Sequence, residues 1–167
     1  HDWCDVIVHF PSAWNKLYRR SLIDGLRFDT GIWFEDHGFY YRAAARTDHI
    51  LHLPEALYLQ TRGRTGQITA QDDERVFDQF AVLETLGRQF DTANRPGGQT
   101  AFARIASRLI FERSTIIADA DRRARFADSA RVFLQKHGLT YSPDWDADIG
   151  RSWDIEMAGT LPLSVVL

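Results

Sequence analysis

From Asp72 onward the chain changes texture, and that change constrains its folding more than anything else in it. Val76, Phe80, Leu83, Gly87 and Phe90 recur at helical spacing, and Asn94-Arg95-Pro96-Gly97-Gly98 then breaks the pattern. Phe102, Ile105, Ala106, Leu109, Ile110, Ile116 and Ile117 predict a long second helix. Phe126, Ala130, Phe133 and Leu134 predict a third, closed by Lys136-His137-Gly138. Residues 139–167 have weak periodicity and read as an irregular tail.

The first seventy residues read differently. Val6 to Phe10 is a short β-rich run stopped by Pro11. Ser12 is a good N-cap, and Trp14, Leu17, Tyr18 and Leu22 predict the buried stripe of a helix ended by Gly25. Leu26 to Trp33 reads as loop and short strand. A second helix is expected from about Asp36 to Arg46, with Phe39, Tyr40, Ala43 and Ala44 inward. Ile50 to Leu53 and Leu57 to Thr61 are two further strand candidates, split by Pro54. The expected architecture is an α/β segment over residues 1–70, a helical extension over 71–138 and the tail.

Composition narrows the functional classes. A net charge of −3 gives no basic footprint for nucleic acid. One cysteine, Cys4, excludes an internal disulfide and a cysteine-based zinc site. No apolar run reaches the roughly 18–20 residues of a membrane span. A cytoplasmic protein is expected. The chain opens on His1 without an initiator Met, which reads as a cut.

The chemistry-bearing feature is the adjacent acidic pair Glu35-Asp36 at an expected helix start. As a dipeptide alone it is first of all a cap, since acids are common in first turns. A carboxylate there also suits general-base work, because the helix dipole favours its ionised form. The Asp-x-Asp strings Asp119-Ala120-Asp121 and Asp146-Ala147-Asp148 lie in or beside expected helices and read as capping or solvated acids.

The surroundings of the pair carry a resemblance. Lys16-Leu17-Tyr18-Arg19-Arg20, Leu26-Arg27-Phe28, Phe34-Glu35-Asp36, Phe39, Leu57-Tyr58 and Arg62 follow one another within Ala13 to Thr69. That order resembles the acceptor-side half of the inverting glycosyltransferases of family 2, which have the GT-A fold. The resemblance implies a partial GT-A, Rossmann-like nucleotide-diphospho-sugar transferase segment followed by a helical bundle. It implies Asp36 as the catalytic base with Glu35 as its helper, and Arg62 and Arg64 as contacts to the donor diphosphate. Trp14, Lys16 and His37 fall on the acceptor side. By residue type alone Trp14 reads as a core aromatic, Lys16 as a solvated cation and His37 as a surface residue.

Donor and acceptor are implied only by class: a nucleotide-sugar such as a UDP-sugar, and a carbohydrate or lipid-linked hydroxyl. A divalent metal, manganese or magnesium, is implied for the intact enzyme. Its Asp-x-Asp ligands would precede this chain, so the chain alone is expected to be inactive. The turn Gly66-Gln67-Ile68-Thr69 has Gln where the family often has Ser, and no Gln-x-x-Arg-Trp box is present. Three alternatives stay open. Lys16, Arg19 and Arg20 with Trp14 and Tyr18 form a basic-aromatic face suited to the inner membrane surface. The C-terminal helices are candidates for pairing two copies, and the whole chain for a non-catalytic helical module with a degenerate transferase relic.

Overall fold

The computed structural model describes residues 11–61, 72–93 and 96–139. The regular structure among them is helical: α1 (Arg20–Ile23), α2 (Glu35–Ala44), a 3₁₀ turn (Glu74–Phe77), α3 (Asp78–Ala93), α4 (Gly98–Ser114) and α5 (Ala120–Lys136). The expected α/β, Rossmann-like segment is therefore corrected. Among the described residues there is no strand and no sheet. The candidate strand Val6 to Phe10 lies outside them.

Each correction has a physical reason. Residues 50–53 and 57–61 are short apolar-rich runs split by Pro54, as two strands would be. They run as an irregular segment, with Leu51, Leu57 and Leu59 exposed. A strand-like run is a pattern of side chains, whereas a strand also needs a neighbour to take its backbone hydrogen bonds. The helix expected after Ser12 shrinks to a turn and the four residues of α1. Leu17, part of its supposed buried stripe, is 96% exposed. The Ser12 carbonyl, which would accept from the Lys16 backbone in a helix, instead accepts from Lys16 Nζ at 2.7 Å. The Asn15 side chain accepts from the Ser12 hydroxyl and from Lys16 Nζ, each also at 2.7 Å. Such side-chain bonds compete with helix formation.

The three helical-period stretches from Asp72 onward do form helices. α3, α4 and α5 pack in sequence, α4 against α3 and α5 against α4, while α2 lies on α3. Val82, Leu83, Leu86, Phe102, Ile105, Leu109, Ile110, Phe126 and Phe133 are buried together. Each such side chain contributes about 1.5–3 kcal/mol through removal from water. Gly87 marks a close approach of α3 to α4: a Cβ there would stand 2.9 Å from Phe102 Cζ. α4 ends at Ser114, earlier than expected, and Ile117 is buried from the connection to α5. Asp119 caps α5, its side chain accepting from the Arg122 backbone at 2.6 Å. Asp146 and Asp148 lie outside the described residues.

α2 belongs to the same core. Tyr40 and Tyr41 are fully buried, with Ala44 beside them. Its other buried side, Phe39 and Ala43, closes on Leu26 with Tyr18 and Ile23 around it. Phe28 stacks on Phe39 at 4.2 Å. Arg42 ties the helix to the preceding loop, donating to both Asp29 oxygens (3.1 and 2.9 Å) and to the Arg27 carbonyl. The helix that carries the acidic pair is thus held on two sides.

Candidate functional site

α2 begins at Glu35, so the acidic pair occupies its first turn, as expected. The residue before it, Phe34, enters at φ 65° and ψ 32°, the left-handed conformation. No other non-glycine residue among those described has positive φ. A bulky side chain there costs about 1–3 kcal/mol, and such strain persists only where surrounding contacts hold it. Phe34 supplies no side-chain cap; its carbonyl accepts from the His37 N–H at 3.0 Å.

Asp36 is partly buried, its side chain 29% exposed. Its proton affinity is raised above the ordinary carboxylate level, first by burial and then by the charge of Glu35. The backbone N–H groups of Asp36 and His37, and the Lys16 charge, pull the other way without prevailing. The expectation that the helix start simply favours the ionised form is corrected: desolvation outweighs the first-turn donors. A carboxylate with raised proton affinity is a better proton acceptor.

The groups around it are unusual. Lys16 is not the solvated cation its type predicts. Its ammonium lies 4.5 Å from the centre of the Tyr40 ring, and burial lowers its pKa to about 8 although Asp36 raises it. The Tyr18 hydroxyl is buried without a hydrogen-bond partner; burial, with the charge of Asp36, lifts its pKa to about 12. His37 is not a surface residue: it is only 8% exposed. Burial, reinforced by the Arg113 charge, depresses its pKa to about 3, so it is neutral. Its Nε2 lies 3.9 Å from Asp36 Oδ1, a contact between a carboxylate and an uncharged ring. Gln79, fully buried on α3, lies beside His37 and favours its protonated form, yet neither its amide nor His37 Nδ1 makes a well-formed hydrogen bond.

Arg113 is the residue that sequence reasoning missed. It reaches from the last turn of α4 and sets its guanidinium 3.8 Å from the centre of the Phe34 ring. Burial lowers its pKa to about 10, against the charges of Glu112 and Asp36. One signal was available: Arg113 stands four residues after buried Leu109, on the inward stripe of an apolar helix.

The remaining predicted residues divide. Glu35 is exposed. Trp14 is not a core aromatic: it is 41% exposed and tilts against the Tyr58 ring, 4.7 Å away. Arg62 and Arg64 lie outside the described residues. Among the described residues no group of three or more His, Cys, Asp or Glu side chains comes together to hold a metal ion. The metal that the resemblance implies has no ligand set there. Among the same residues no helix is long and apolar enough to cross a membrane. No protein-family model, curated protein or solved structure matches the chain.

Proposed function

We propose that the chain carries the acceptor-side portion of an inverting glycosyltransferase, with Asp36 as the base. The observation that carries this reading is the state of Asp36: partly exposed, on a helix held by its core, and with raised proton affinity. The order of short motifs around it supplies the reaction class.

In that reaction Asp36 accepts the proton of a hydroxyl as the oxygen attacks the anomeric carbon of the donor sugar. The bond from that carbon to the diphosphate breaks, and the nucleoside diphosphate leaves with the electron pair. Glu35 raises the proton affinity of Asp36, and Lys16 opposes it. Arg62 and Arg64 are the proposed diphosphate contacts. The donor is a nucleotide-sugar such as a UDP-sugar, and the acceptor a carbohydrate or lipid-linked alcohol.

A second reading has its own support. The regular structure of the described residues is wholly helical, which suits a helical interaction module with a transferase relic. Nucleoside diphosphate release from UDP-sugars by the intact enzyme separates the two. Turnover in the wild type that falls at least about a hundredfold in Asp36→Asn supports the base assignment. A folded wild type without turnover on any nucleotide-sugar favours the second reading.

A further inference from the structure

Phe34 turns the chain into α2, and the two residues after it are the acidic pair. Its left-handed backbone would relax unless something held it. Within α2 the His37 ring stacks on Phe34 at 5.3 Å. The other supports come from far along the chain. The Arg113 guanidinium covers the Phe34 ring at 3.8 Å. The neighbouring Trp33 N–H donates to Asp78 Oδ2 at 2.8 Å, and Arg75 lies 4.2 Å from the Trp33 ring centre.

Arg113 is a costly way to fill that space. It is largely buried, and its Nε has no hydrogen-bond partner. The adjacent acid, Glu112, accepts instead from Arg108 Nε at 2.7 Å. A buried and incompletely paired cation is destabilising, and an apolar side chain of similar length would pack there without that cost. What arginine adds is a rigid planar face that stacks on a ring, and a fixed positive charge.

We propose that Arg113 is a positioning residue for the acidic pair: its planar face holds Phe34 in the left-handed turn, and that turn sets where the Asp36 carboxylate points. The functional meaning of this inference rests on Asp36 being the base, but its geometry is testable without turnover. The other groups that face Asp36 are Glu35, His37 and Tyr41 on α2, and Lys16 and Tyr18 from the segment before α1.

The test is a carbon-13 NMR titration of the Asp36 carboxyl in the full chain. Arg113→Lys keeps the charge and removes the planar face; Arg113→Met removes both. Phe34→Gly combined with Arg113→Lys removes the need for a clamp, because glycine adopts positive φ freely. The expected result is a rise in the Asp36 midpoint of about half a unit or more in Arg113→Met. Arg113→Lys should displace the Asp36 signal and midpoint, and adding Phe34→Gly should bring them back toward wild type. If Arg113→Met does not fold, the two lysine variants decide alone. An Asp36 titration unchanged in Arg113→Lys, or one displaced and not recovered by Phe34→Gly, overturns the proposal. Turnover of Asp36→Asn answers the separate question of the base. An inactive Asp36→Asn with an Asp36 titration indifferent to Arg113 removes this inference and leaves that reading standing.

Discussion

The Trp33 backbone N–H donates to the Asp78 carboxylate at 2.8 Å, and this bond joins the entrance of α2 to the first residue of α3. Asp78 thereby does two jobs, as a first-turn acid favoured by the α3 dipole and as an acceptor for the loop that carries the acidic pair. Asp78→Ala leaves the Trp33 donor without its partner and should cost about 1–3 kcal/mol. Asp78→Asn keeps an acceptor and should cost less. Urea unfolding midpoints check both, and equal losses would count against the bond as the cause.

Gly87 should resist even alanine. The substitution favours the helix by up to about 1 kcal/mol, but its methyl group meets the buried Phe102 ring, which already packs against Phe90 and Phe133. Overpacking of this kind costs about 1–3 kcal/mol, so the net change is a loss. Thermal unfolding measures it; a higher melting temperature would mean that the α3–α4 contact is looser than described.

Lys16 should titrate far below an ordinary lysine. The chain has two lysines, Lys16 and Lys136, so isotope-labelled reductive methylation gives two lysine NMR signals. The Lys16 signal should have its midpoint near 8, since burial disfavours the ammonium. With the folded value below the unfolded 10.5, the unfolded chain binds more protons between them, and this group makes stability rise with pH across that window. A Lys16 midpoint above 10 would mean that burial does not govern its amine.

His37 acts at the other end of the scale. Its folded pKa of about 3 lies below the unfolded 6.5, so it contributes stability above pH 6.5 that is lost as pH falls toward 3. His37→Gln removes that dependence. The slope of unfolding free energy between pH 6.5 and 4 should be shallower in the variant, and an unchanged slope would mean that His37 protonates in place.

How much of this was legible in the sequence depends on the range of the interaction. The inward face of α2 (Phe39, Tyr40, Ala43, Ala44) and the stripes of α3 to α5 were legible, because helical hydrogen bonds are local and the period of 3.6 records which side is covered. The stretch containing Leu51 and Leu59 misled, because short apolar runs record composition and not a pairing partner. Asp36 at a helix start was visible. Its burial was not, nor the approach of Arg113 from α4, because both depend on contacts between residues far apart in the chain. The left-handed Phe34 was hidden too, since nothing in an aromatic residue announces positive φ.

Turnover and stability measured together in Asp36→Asn decide the role of its carboxylate. The raised proton affinity of Asp36 means that its charge costs stability above its folded midpoint, as pH rises past it. Near neutral pH the variant should therefore melt no lower than wild type, while the proposed glycosyl transfer drops at least about a hundredfold. A variant that keeps most of its turnover, or one that loses turnover only by unfolding, would contradict the role given to Asp36.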